Sequence, residues 1–211
     1  IKLKFPEVKN LVISGGCALN VTLNGKILSN KIFDKIIVPP APHDAGCSIG
    51  SVLSYFYKNK NLNFQENGKV KSKIISPYLG FEYNNDELIN TLKKYSNYIN
   101  YKLLKYNDVI EFTSKALAEN KIIAWFQDGA EFGPRALGNR SILCKPYPKE
   151  MRDYLNKRVK FREVFRPFAP AVLERYQKNY FNINQQSPHM LMACKVKSNK
   201  KEMIPAVVHV D

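Results

Sequence analysis

The chain has 211 residues, with 33 Lys and Arg against 18 Asp and Glu, for a formal charge of +15 and a pI near 9.6. At 45% apolar and 24% charged residues it has the composition of a core-forming protein rather than a disordered one. The length fits one or two domains, and no apolar run approaches the roughly 20 residues that a membrane-spanning helix needs.

The opening Ile1-Lys2-Leu3-Lys4 has neither a methionine nor a signal-peptide pattern, so the chain reads as a piece of a longer protein. Residues 11–15 predict a buried strand, Gly15-Gly16 the turn after it, and a helix follows from about Cys17 to Leu28. A second strand is expected over 32–38, stopped by Pro39-Pro40. The loop Ala41 to Gly46 then leads into an apolar helix from Cys47 to Tyr57. Strand, glycine turn, helix, strand, loop and helix make an α/β pattern.

From Lys58 to Lys73 the composition changes to Lys, Asn, Gln and Gly, and the segment reads as a linker. Beyond it, a strand is expected at 74–81, a helix at 85–96 capped by Asn84, and a strand at 98–104. A further helix, capped by Asn107 or Asp108, reaches about Asn120. An apolar strand at 121–126 and a helix at 149–160 follow, with later strands near 168–173, 190–196 and 206–210. This second part reads as α/β or α+β.

The cations divide into two populations. Lysines are dispersed from Lys2 to Lys201, whereas all seven arginines fall between Arg135 and Arg175. Arg suits bidentate recognition of phosphate or carboxylate, and Lys is a more solvated point charge. An anion site is therefore expected in the arginine window, and the dispersed lysines read as composition. A basic nucleic-acid-binding module is the disfavoured alternative. Cys17, Cys47, Cys144 and Cys194 lack CxxC spacing, which argues against a zinc ribbon or disulfide scaffold and for a reducing, cytoplasmic setting.

Four constellations carry chemistry. Gly15-Gly16-Cys17-Ala18-Leu19-Asn20, at a strand-to-helix junction, is either a ligand-approaching turn or a purely steric one. In Pro42-His43-Asp44-Ala45-Gly46, Asp44 is either a helix N-cap, which local pattern favours, or a ligand contact at a strand's carboxyl end. The stretch from Trp125 to Ser141 holds Arg135 and Arg140 near Gly133-Pro134 and Gly138-Asn139, as a phosphate clamp would, or else is a plain surface loop. On the helix expected at 149–160, Arg152, Asn156 and Lys160 share one face beside an apolar stripe of Met151, Leu155 and Val159, with Asp153 placed to pair with Lys157. After it, Arg162 and Arg166 alternate with Phe161, Phe165 and Phe168, read as core anchors in preference to base-stacking rings.

In this order GGCALN, PAPHDAGCSIGS, SPYLG, WFQ with EFGPRALGNRSIL, and VKFREVFRPFAPAVL resemble the NodU/CmcH-type O-carbamoyltransferases over nearly the whole chain. The resemblance implies that residues 1–60 end an actin/hexokinase-like ATPase-fold domain, that 61–73 are a linker, and that 74–211 are a YrdC-like domain with a twisted open sheet, truncated at its C-terminus. It also implies an internal fragment, with the rest of the family's N-terminal portion and its final segment outside this chain.

The same resemblance implies activation of carbamoyl phosphate with ATP, magnesium accompanying the nucleotide, to a carbamoyl-adenylate. The carbamoyl group then passes to a hydroxyl of a sugar or natural product. Arg135, Lys160, Arg162 and Arg166 are the implied catalytic cations, with Arg140, Ser141 and Asn156 on the phosphates. Gly15, Gly16 and Asn20 match the family's nucleotide-contacting turn. Asp44 matches a ligand of a divalent metal, iron by resemblance, whose other ligands lie upstream. Where the family reads Gln-Gly-Arg this chain has Gln127-Asp128-Gly129-Ala130, so one family cation is missing and an acid is added, and His43 stands where Gly is common. The alternative is a YrdC-like enzyme of tRNA modification or hydrogenase maturation. The acceptor and the oligomeric state are not legible here.

Overall fold

The computed structural model describes residues 1–59, 65–66, 69–70 and 76–209. The chain divides into two compact units. The first comprises Ile1–Gly80, Ala130–Leu137 and Ser187–Ala193; the second comprises Phe81–Gly129, Gly138–Gln186 and Cys194–Asp211. The architecture is mixed α/β with small sheets.

In the first unit, β1 (Asn10–Val12) and β2 (Lys35–Ile37) pair in parallel, with Leu11 opposite Ile36. A parallel pair needs a crossover, and here the path between them holds a 3₁₀ turn, Gly16–Leu19, and helix α1 (Val21–Ser29). The sequence predicts one helix from Cys17. Instead Asn20 breaks it, taking an extended backbone and accepting the Leu23 N–H on Oδ1 at 2.9 Å. An Asn in that conformation satisfies an orphan donor of the first turn, so the helix starts after it. Helix α2 (Gly46–Asn59) follows the second strand. Ala18, Leu28, Phe33, Ile36, Val38, Ala41 and Leu191 are buried in this unit.

Most of the expected linker lies outside the described residues, but its described part pairs antiparallel as β3 (Gln65–Glu66) and β4 (Lys69–Val70). Of the strand expected at 74–81, residues 74–75 are also outside, and 76–81 is a loop.

The second unit begins with α3 (Asn85–Lys94), where the Asn84 cap is as expected: Asn84 Oδ1 accepts the Glu87 N–H, and Glu87 accepts the Asn84 N–H. Residues 98–104 form no strand. Helix α4 (Tyr106–Ala118) starts after Lys105, with no side-chain cap from Asn107 or Asp108, which lie inside the helix. Strand β5 (Ile123–Phe126) pairs antiparallel with β6 (Arg140–Leu143), so the segment read as loop to Ser141 ends in a strand.

The helix expected at 149–160 is a single α turn, α5 (Met151–Tyr154), that widens into a π turn over Leu155–Val159. Met151, Leu155 and Ala206 form a buried cluster against Ile122, Cys144, Val159 and Phe168, and burial pushes the Cys144 thiol pKa up. Of the late strands, 168–173 is irregular and 205–207 is a 3₁₀ turn; near 190–196 only a bridge between Val196 and Phe181 forms. Short turns at Glu174–Tyr176 and Ser198–Met203, with α6 (Gln177–Tyr180), complete the chain.

Candidate active site

The sequence candidates fall into both units, and Arg135 and Arg140, five residues apart, belong to different ones. Arg135 belongs to the first unit, while Arg140, Ser141, Asn156, Lys160, Arg162 and Arg166 belong to the second.

In the first unit the loops leaving β1 and β2 meet. The Ile13 N–H donates to the Ile37 carbonyl at 3.0 Å, extending the ladder, and the Gly15 N–H donates to the Pro42 carbonyl at 2.6 Å. Gly15 has φ +89, a region that a side chain would strain, and both Gly15 and Gly16 are exposed and face open space. The glycine turn and the Asp44 loop therefore share the carboxyl edge of a parallel pair, where open α/β sheets bind ligands. Asp44 is exposed, and its carbonyl accepts the Cys47 N–H as α2 begins. Among the described residues, no three His, Cys, Asp or Glu side chains gather into a metal site. The residues present do not by themselves build a centre for the iron that the resemblance implies.

Segment 130–137 packs on the same unit. The Gly80 N–H reaches the Ala130 carbonyl, the Phe132 N–H the Pro77 carbonyl, and the Tyr78 hydroxyl the Leu137 carbonyl. At Gly133, φ +131, a Cβ would lie 2.5 Å from the Pro40 carbonyl oxygen, so the approach to the Pro40-Ala41 loop requires glycine. Two residues on, the Nε of Arg135 is buried without a hydrogen-bond partner among the described residues.

In the second unit, β5 and β6 carry a polar relay. Trp125 Nε1 donates to Gln127 Oε1 at 2.9 Å, Gln127 Nε2 to Asn139 Oδ1 at 3.0 Å, and Asn139 Nδ2 to the Gly129 carbonyl at 2.8 Å. Arg140 lies over the Phe126 ring at 3.6 Å. One of its terminal nitrogens donates to the Gln127 and Asn139 carbonyls, the other to those of Phe81 and Asp128. Four of the five guanidinium N–H groups thus engage backbone. Arg140 holds the Gln127–Asp128 loop in place. Ser141 Oγ accepts the Gly138 N–H at 3.0 Å, which leaves its own proton to give.

Asn156 is the hub of the arginine loop, not a member of an exposed helix face. The π turn adds a residue per turn, which departs from the spacing that would align Arg152, Asn156 and Lys160; Asn156 is 0% exposed. Its Nδ2 donates to the carbonyls of Val164 and Arg166, and its Oδ1 accepts from Arg162 Nε at 2.7 Å. Asp153 pairs with Arg152 at 2.9 Å rather than with Lys157.

The phenylalanines also differ from expectation. Phe161 and Phe165 are strongly exposed, and only Phe168 packs against the core, with Arg162 over its ring at 4.8 Å. The chain leaves the π turn through Phe161 at φ +49, and hydrogen bonds to Asn156 hold the loop in place of buried rings. Lys160 is exposed at the start of this loop, and Arg166 is half exposed, 3.9 Å from Glu163. Partial desolvation, then the neighbouring Arg166 charge, lower the Arg162 pKa, opposed by Glu163. Two guanidinium groups held within each other's field form a site that gains from an incoming anion.

The sequence reading did not single out Gln127 or Asn139, nor Asn24, a buried amide on α1 described below. None is marked by residue type alone: Gln127 bridges the side chains of Trp125 and Asn139, Asn139 reaches the Gly129 carbonyl, and Asn24 those of Ala18 and Leu191.

Residues 2–53 match the family model described as carbamoyltransferase N-terminus, and residues 114–211 match carbamoyltransferase C-terminus. The chain belongs to the carbamoyltransferase family. Nodulation protein NolNO of Sinorhizobium fredii is 37% identical over 208 residues, covering 97% of this chain and 29% of the relative. Nodulation protein NolO of Bradyrhizobium diazoefficiens is 36% identical over 214 residues, covering 99% and 37%. Nodulation protein U of Rhizobium tropici is 35% identical over 206 residues, covering 98% and 32%. The chain spans about a third of the length of these relatives. Among the described residues no helix is long and apolar enough to cross a membrane.

Proposed function

We infer that this chain is part of an O-carbamoyltransferase that activates carbamoyl phosphate with ATP and passes the carbamoyl group to a hydroxyl of a small molecule or glycan. The observation that carries the reading is the Arg162–Arg166 pair on a loop fixed by the buried Asn156 amide. Membership of the carbamoyltransferase family supports it.

Carbamoyl phosphate and ATP are both anions, so their approach needs fixed positive charge that costs no reorganisation. Arg162, Arg166 and the exposed Lys160 supply that charge, and Ser141 offers a hydroxyl proton to a phosphate oxygen. Arg140 and Asn156 act by holding the two loops, since their polar groups largely engage this chain. Carbamoyl-adenylate, phosphate and pyrophosphate balance against carbamoyl phosphate and ATP with one water consumed. In the first unit, Gly15, Gly16 and Asn20 are proposed to contact nucleotide, with Arg135 as a cation in the same unit. Asp44 is one carboxylate in that unit, and no step is derived from a metal there. This assignment keeps an ATPase-fold reading for the first unit and a YrdC-like reading for the second.

The test uses the full-length protein. AMP and pyrophosphate form from ATP only when carbamoyl phosphate is present, and Arg162→Ala or Arg166→Ala lowers the rate roughly tenfold or more. Unchanged rates in both variants overturn the assignment of this loop. AMP formation that needs threonine and bicarbonate instead of carbamoyl phosphate overturns the reaction.

A further inference from the structure

The first unit contains a segment from far along the chain, and its contacts converge on α1. Residues 187–193 return to this unit after the second unit has been largely traced. The Ala193 N–H donates to the Val21 carbonyl at 3.0 Å. Gly25 lies directly beneath: a Cβ there would be 2.0 Å from the Ala193 carbonyl oxygen and 3.0 Å from its carbon. Only glycine lets backbone approach backbone so closely. Leu191 is 2% exposed, and His189 Nδ1 lies 3.3 Å from the Val38 carbonyl at the end of β2.

Asn24 links this segment to the glycine turn. It is 0% exposed, and its Nδ2 donates at 2.8 Å both to the Leu191 carbonyl and to the Ala18 carbonyl. Ala18 sits within the 3₁₀ turn, where its own N–H donates to the Gly15 carbonyl. The Asn24 Oδ1 has no hydrogen-bond partner among the described residues. Its two donors therefore set the amide's orientation, because a flipped amide would aim oxygen at carbonyl oxygens. One amide thus spans the strap and the turn.

We propose that segment 187–193 is a strap that fixes the Gly15–Leu19 turn through Asn24, making Asn24 and Gly25 positioning residues for that turn. Its functional part rests on the reading of the turn as a nucleotide contact. The strap narrows the conformations open to the turn before nucleotide arrives, so less ordering remains to be done on binding. The atoms nearest to a Cβ at Gly25 all belong to Ala193 of the strap, which makes it the informative position.

The experiment is amide hydrogen exchange on the intact protein, following peptides that cover residues 13–20, with and without millimolar ATP. Gly25→Ala displaces the strap. The turn is then expected to exchange roughly tenfold faster without nucleotide and to need roughly tenfold more ATP for equal protection. Asn24→Ser, which shortens the link without adding bulk, gives a smaller change in the same direction and serves if Gly25→Ala does not fold. The activation half-reaction, assigned to the second unit, stays within about twofold of the parent in both folded variants. A loosened strap with an unchanged turn overturns the proposal, as does an equal loss of both half-reactions with no selective change at the turn. If ATP leaves the parent turn unprotected, the nucleotide reading fails, and exchange without ATP still decides whether strap and turn are coupled.

Discussion

At the scale of single residues, two buried asparagines do comparable work in different units. Each engages backbone carbonyls that no regular secondary structure would satisfy, and such groups are costly to leave unpaired. Asn156 holds the carbonyls of Val164 and Arg166 and the Nε of Arg162. Asn156→Leu keeps similar volume but strands all three. Urea unfolding of the variant is expected to show a loss of about 2–4 kcal/mol. Where the variant still folds, the KM for carbamoyl phosphate rises, because Arg162 loses the partner that aims it. Unaltered stability would mean that the loop is held by something else. Neither role was legible in sequence. Asn156 read as a phosphate-binding residue sharing a regular helix face with Arg152 and Lys160, and the π turn that buries it has no signature in local composition.

At the scale of elements, legibility followed how local the determinants are. The start of α3 was readable because its cap, acceptor and donor lie within four residues. Replacing Asn84 by Ala should cost about 1 kcal/mol in a denaturant melt, and Asn84→Ser should restore most of it. Strands β1 and β2 were readable from their apolar runs, though shorter than expected; their parallel pairing, which brings the glycine turn to the Asp44 loop, was not. Strand β6 was not. Its residues, Arg140 to Leu143, gain strand geometry by pairing with β5 across a glycine-rich loop, and Arg140 read as a free cation while its guanidinium engages carbonyls. The arginine window contains the loop of Arg162 and Arg166. It did not separate Arg135, whose unit is decided by Gly133 against Pro40.

At the scale of the whole molecule, the first unit is assembled from three stretches that are not contiguous. The family's N-terminal match ends at residue 53, yet segments 130–137 and 187–193 complete the unit, and both fall within the C-terminal match. A chain ended at Gly129 should therefore lack a cooperative first unit. Its thermal transition, followed by near-ultraviolet circular dichroism, is expected to be broad or absent, whereas an independent unit would keep a sharp one. The charge of +15 divides in a similar way: the lysines are dispersed along the chain, whereas the arginines fall between Arg135 and Arg175, where Arg140 and Arg162 hold loops.

The strap over α1 also bears on how the protein is made. Residue 193 leaves the ribosome on the order of a hundred residues after Gly80, which at typical elongation rates is roughly 6 to 20 seconds. During that interval the groove at Asn24 and Gly25 is empty, with the Ala18 carbonyl and the flank of α1 open to solvent. The first unit is then begun earlier, yet it is not complete until most of the second unit has been made. Its nascent form would be a client for chaperones until residues 187–193 have emerged, so slowing translation before residue 187 should lengthen that exposure.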